Sequence, residues 1–278
     1  MRYLTEAQRQ ILLGLARYKF LTPSQFMKLG IVAHLPYLRK ILADMVQREK
    51  PLIHRIEFGF VPAEGRLESV YYLSRFGKRQ LVEGLELNEQ DIKIPVGSVL
   101  PTYNDYKHRK HTIDIGIYLH QFAEKEGLEV EFFDTYFDTT GNNRKDKNLQ
   151  HKNKIHLDDL NFIIPDGVFI LKGDARRRLF LLEVYNGKGT KRVLSQMEKH
   201  AYALGKGSPS QKYTFDKGHR VLSVFEFDSI KSATITRMQQ DSRFAELKNH
   251  FLFKSLETLG PETFNRDWQN MGGEPVNL

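Results

Sequence analysis

The 278-residue chain contains no cysteine, which excludes disulfides and every thiolate metal site, including the zinc fingers and ribbons that many DNA-binding proteins use. It has no apolar run approaching the roughly 20 residues needed to span a bilayer. Its first ten residues, MRYLTEAQRQ, hold nothing like the apolar core of a secretory signal. These absences predict a cytoplasmic protein with no membrane insertion. Internal repeats and a Walker-type phosphate loop are also missing. What the chain has in excess is positive charge. Its 42 Lys and Arg against 34 Asp and Glu give a formal charge of +8, which favours an anionic partner, either nucleic acid or an acidic membrane surface. Hydrophobic residues make up 40%, enough for globular cores, and the length suits two modest domains.

Residues 1–93 read as the first domain. Thr5 caps a helix whose apolar positions Ile11, Leu12, Leu15 and Tyr18 recur at helical spacing. Thr22 caps a short second helix with Pro23 in its first turn and Gly30 as the stop. A third helix is expected over 34–49, with Leu35, Leu38, Leu42, Met45 and Val46 as its buried stripe and Tyr37, Arg39, Lys40 and Gln47 on its other face. Two β-like runs follow, LIHRIEF and RLESVYYLS, and then a helix over 75–85. Three helices and a hairpin make a winged helix-turn-helix, in which the third helix enters the major groove of DNA. His34, Tyr37, Arg39 and Lys40 are then the base- and phosphate-contacting candidates, and Arg66 at the hairpin reaches phosphate or the minor groove. A winged helix can serve protein contact instead, and the 15 basic against 10 acidic residues of this segment are only mildly positive.

The stretch ELNEQDIKIPVGSVLP, with Pro95, Gly97 and Pro101, reads as a linker into a second domain over 102–258. Its predicted order is helix (105–125), strand (128–137), polar loop (138–160), strands (161–171 and 178–185), helix (190–204), strand (219–227) and helix (228–248). This mixed α/β (α+β) pattern, α-β-β-β-α-β, allows a three-strand meander covered by helices. The loop over 141–156 carries Arg144, Lys145, Lys147, Lys152 and Lys154 against Asp146 alone, which suits either phosphate contact or a solvated insertion. Residues 259–278 give no clear signal and read as a tail open to disorder.

Two acids interrupt apolar strands, Asp166 in FIIPDGVFIL and Glu183 in LFLLEVYNG. Burying an acid is costly unless it is paired or ligates a cation. Side by side on a hairpin they would hold Mg²⁺ through oxygen ligands beside a phosphodiester. The bland alternatives are a bulge at Pro165-Asp166-Gly167 and an ion pair of Glu183 with an arginine such as Arg178. On the preceding helix His111, Asp114, Ile115, Tyr118 and Phe122 share a face. Asp114 is a candidate third metal carboxylate and His111 a phosphate contact or general base, against a His–Asp pair that merely satisfies a buried helix start.

VYYLSRFGKRQL, HRKHTIDIGIYL, IIPDGVFIL, LFLLEVYNGKGT, QMEKHAYAL and RVLSVFEF occur in that order over about residues 5–255. In this the chain resembles the PD-(D/E)xK nuclease superfamily and, more closely, the replication-relaxation family that includes MobC-type mobilisation relaxases. The resemblance implies a plasmid or mobile-element protein that nicks or binds origin DNA, using Mg²⁺ or Mn²⁺ and working with other mobilisation or replication proteins, with oligomers allowed. It equates Pro165-Asp166 with the "PD" and Glu183 with the second acid. Tyr185 stands where a lysine is expected, so Lys199, with Gln196 and Tyr202 nearby, is the candidate for a migrated ammonium, and Lys188 is its substitute. The His-hydrophobic-His motif by which most relaxases hold metal beside a nucleophilic tyrosine is missing, which leaves water as the simplest nucleophile. The rival reading keeps the fold without the chemistry, as a non-catalytic origin-binding replication or transcription regulator.

Overall fold

The computed structural model describes residues 4–61, 65–95, 97–141, 149–174 and 176–278. It forms two compact units, Met1–Ile117 and Tyr118–Leu278. In the first unit the helices are α1 (Glu6–Tyr18), α2 (Pro23–Lys28) and α3 (Leu35–Gln47). Strands β1 (Ile53–Ile56), β2 (Phe60–Val61), β3 (Gly65–Arg66) and β4 (Val70–Leu73) follow, and then α4 (Arg75–Leu85). Both threonine caps form full capping boxes: Thr5 Oγ1 accepts from Gln8 N while Thr5 N donates back to the Gln8 side chain, and Thr22 and Gln25 repeat the exchange. Strands β1 and β4 pair antiparallel, β2 pairs with β3, and Leu21 bridges to Tyr71 through both of its backbone groups. Leu12, Leu15, Leu21, Phe26, Leu38, Leu42 and Leu73 are fully buried between the helices and this small sheet. At the start of α4 a Cβ on Gly77 would stand 2.0 Å from the Leu52 carbonyl oxygen, so glycine alone lets the helix pack on that backbone.

Helix α5 (Tyr106–Lys125) runs across the division between the units. The boundary therefore falls later than the Pro- and Gly-bearing stretch at 93–102, because the first turns of α5 belong to the first unit's packing. Gln25 Nε2 donates to the Lys110 carbonyl (3.0 Å), and the Arg109 guanidinium lies 4.9 Å from the Phe20 ring centroid.

The second unit is mixed α/β. Its elements continue with β5 (Glu129–Thr135), β6 (Thr139–Thr140), β7 (Gln150–His151), β8 (Ile155–His156), β9 (Phe162–Ile163), β10 (Gly167–Lys172) and β11 (Arg177–Tyr185). After these come α6 (Thr190–Lys206), α7 (Ser208–Lys212), β12 (Arg220–Phe225), α8 (Asp228–Gln239), β13 (Phe251–Ser255), β14 (Trp268–Asn270) and β15 (Pro275–Val276). A seven-stranded sheet has the order β15-β14-β13-β12-β11-β10-β5. The expected meander is β5-β10-β11, antiparallel throughout. β12 and β13 then run parallel to β11, and β14 and β15 return antiparallel. Within the polar loop over 138–160 the described residues form two short pairings, β6 with β7 and β8 with β9.

Residues 259–278 correct the expectation of a tail. Trp268 is fully buried, its indole N–H donates to the Phe264 carbonyl (2.7 Å), and β14 and β15 complete the sheet edge. The expected long helix from residue 228 ends at Gln239, after which Asp241 caps a single 3₁₀ turn over Ser242–Phe244. Among the described residues no helix is long and apolar enough to cross a membrane.

Candidate functional site

The two acids lie at one end of the β10–β11 pairing. Its register runs from Gly167↔Leu182 to Lys172↔Arg177. Asp166 lies in the bend one residue before this pairing begins, and Glu183 lies one residue beyond its last partner on β11. Asp166 Oδ2 accepts from Val184 N (2.7 Å), and its own carbonyl accepts from Tyr136 N (3.1 Å). The glycine that follows is required by packing: a Cβ on Gly167 would lie 2.9 Å from the Phe133 ring of β5. Pro165-Asp166-Gly167 is thus a fixed entry to β10 that holds a carboxylate half-buried at the strand end.

Glu183 is 2% exposed. Its partners come from one face of α6: His200 Nε2 is 2.6 Å from Oε1, and Gln196 Nε2 donates to Oε2 (3.1 Å). Burial pushes the Glu183 carboxyl above its usual range and the nearby Asp166 charge adds to this, while His200 and Gln196 pull it back. The arginine partner considered from sequence is not among these contacts. His200 is the residue that sequence reasoning missed. Its signal is present in QMEKHAYAL, where Gln196 and His200 stand four apart on the helix after the acid-bearing strand.

Lys199, the expected migrated ammonium, is exposed on α6, one residue away from the face that meets Glu183. Tyr185, two positions after Glu183, is 4% exposed, and its hydroxyl has no hydrogen-bond partner among the described residues. Burial raises its ionisation well above the ordinary phenol range, which makes it a poor nucleophile. Lys188 is exposed in the turn before α6, 5.3 Å from the Phe227 ring centroid.

Asp114 has another explanation than metal binding. It is buried in the first unit, where Lys28 Nζ (2.9 Å) and Gln25 Nε2 (3.1 Å) contact Oδ1 and Lys110 Nζ (3.4 Å) contacts Oδ2. An ion-paired acid needs no further cation. His111 sits half-buried in the same unit. His34, Tyr37, Arg39 and Lys40 are all exposed along one end of α3, and Arg66 is exposed on β3 opposite Phe60. Lys152 and Lys154 belong to the second unit, whereas Arg144, Lys145 and Lys147 lie outside the described residues.

Among the described residues no cluster of three or more His, Asp or Glu side chains is placed to hold a metal ion. Asp166 and Glu183 are oxygen donors of the kind Mg²⁺ takes, although Glu183 is already bonded to His200 and Gln196. That ion commonly takes one or two carboxylates, several waters and substrate phosphate rather than a complete protein cage. The like charge of Asp166 bearing on Glu183 is also the electrostatic penalty that a shared cation removes.

A second buried imidazole lies close by. His219, just before β12, is 1% exposed, and its proton affinity is driven down to about 3, first by burial and then by the charges of His200 and His250. An unfolded histidine binds a proton near pH 6.5 that the folded one refuses, so stability is intact above pH 6.5 and falls as the pH drops towards 3. The expected slope is about 1.4 kcal/mol per pH unit. Chemical denaturation should therefore show His219→Gln losing about 2 kcal/mol less than the parent between pH 7 and 5. Parallel pH profiles for the two proteins would sink this assignment.

Comparison of the chain with family models, curated proteins and solved structures finds no match.

Proposed function

We propose that this chain is a plasmid or mobile-element DNA-processing protein acting in the cytoplasm. In this reading the first unit is a winged helix-turn-helix that lays α3 in the major groove of duplex origin DNA. The second is a PD-(D/E)xK-like nuclease domain that nicks one strand. The reading matches the replication-relaxation resemblance in the sequence, and its first half is supported by the exposed His34, Tyr37, Arg39 and Lys40 on a helix that buries Leu38, Ile41, Leu42 and Met45.

The observation that carries the nicking reading is the closeness of the two acids: Asp166, bonded to the Val184 amide at the entry to β10, stands beside Glu183 of β11 and its charge bears on that carboxyl. These two carboxylates would hold a divalent ion, Mg²⁺ or Mn²⁺, which when bound supplies Lewis-acid polarisation of the scissile phosphate. Gln196 and His200 fix the Glu183 carboxyl from α6, and the Val184 amide fixes Asp166, so both acids are oriented before substrate arrives. Hydrolysis then requires a water oxygen to attack phosphorus, a P–O ester bond to break and the departing alkoxide to take up a proton.

A second reading, an origin-binding regulator without cleavage, is favoured by one observation: the buried Tyr185 occupies the place of a phosphate-facing lysine. Supercoiled plasmid carrying the cognate origin separates the two. Open circle formed only with divalent ion supports nicking, and origin binding with no open circle under any divalent ion supports the regulator.

A further inference from the structure

A second surface of the C-terminal unit combines cations with exposed aromatic rings. Residues on β7, β8 and α7 line a polar hollow of about 520 Å³ that includes His151, Lys152, Lys154, His156 and Lys212. The Lys212 ammonium donates to the carbonyls of both Lys152 and Lys154 (2.6 Å each), so it holds the turn that presents the other two lysines. Lys152 pairs with Asp134 (2.7 Å) and remains 45% exposed, which leaves the hollow with more positive than negative charge.

At its rim stands Phe162 of β9, 42% exposed, with Lys154 Nζ 4.0 Å from the ring centroid and the His156 ring 6.4 Å away. Exposing a phenylalanine costs burial energy that a strand position beside an apolar core would readily recover. Next to it the hairpin tip carries Asp158, which accepts from Tyr202 (3.4 Å), another exposed ring. Duplex DNA keeps its bases stacked inside and offers such rings nothing. A single strand offers both a base face for an aromatic and phosphates for the adjoining ammonium groups.

We propose that Phe162, Lys154, Lys152 and His156 form a binding platform for single-stranded DNA, with a base on Phe162 and neighbouring phosphates in the hollow. It rests on the DNA-processing reading above and gives it a place for a strand unpaired at the origin.

The test is fluorescence anisotropy on the full-length protein, using a dT oligonucleotide of about 12 nucleotides and, separately, origin duplex. Phe162→Ala should weaken dT binding about tenfold and leave duplex affinity unchanged, while Phe162→Tyr restores dT binding. Lys152→Ala with Lys154→Ala should lower the salt slope for dT by about 1.4. Millimolar inorganic phosphate should compete weakly; if it displaces dT in proportion to occupancy of a single site, the hollow is a free-phosphate site and the platform is wrong. Tight duplex binding with no dT binding, or dT binding indifferent to Phe162→Ala, overturns the platform and leaves DNA processing standing. Binding of neither DNA overturns both.

Discussion

Glu183→Gln should abolish conversion of supercoiled origin plasmid to open circle, with a loss of at least about 100-fold at saturating Mg²⁺. Removing a partner that merely orients a ligand commonly costs 10- to 100-fold, and here the proposed ligand itself is removed. The amide is nearly isosteric: its oxygen can still accept from His200 Nε2, and a turned Gln196 amide can accept from the new NH2 through its own oxygen, so the fold is preserved. What disappears is the negative charge that would share an ion with Asp166. Thermal unfolding should therefore stay within a few degrees of the parent while nicking vanishes. Nicking by the variant at the parental rate would remove Glu183 from the chemistry altogether.

The second large effect concerns duplex binding by the first unit. Arg39 and Lys40 are exposed on α3 and lie outside its buried stripe of Leu38, Ile41, Leu42 and Met45. Replacing both with alanine should leave helix and core intact while taking two cations away from the DNA. Origin affinity should fall at least tenfold, and the dependence of log K on log salt should flatten by about 1.8, near 0.9 for each phosphate that is no longer neutralised. An unchanged salt slope would move the duplex surface away from α3 and weaken the winged-helix reading.

What could be read from sequence was whatever local chemistry dictates. The Thr5 and Thr22 caps, Pro23 in a first turn and the stripe of α3 announce themselves within a few residues, and the capping boxes form as those residues require. Asp166 and Glu183 stand out because a charge inside an apolar strand demands a reason. Asp114 stands out likewise, but its partners Lys28 and Gln25 come from a helix far away in the chain, which no spacing rule reveals. Gln196 and His200 look like ordinary helix polarity until the sheet places Glu183 beneath them. The strands at residues 268–270 and 275–276 are too short for alternation to register, and the buried Trp268, Asn270 and Met271 anchor them.

The nicking reading requires Asp166 and Glu183 to share one divalent ion. Counting bound Mn²⁺ by electron paramagnetic resonance on the parent, Asp166→Asn and Glu183→Gln tests it most directly. One ion per chain is expected in the parent and none at that affinity in either variant. A parent that binds no Mn²⁺, or variants that bind it equally well, would contradict it.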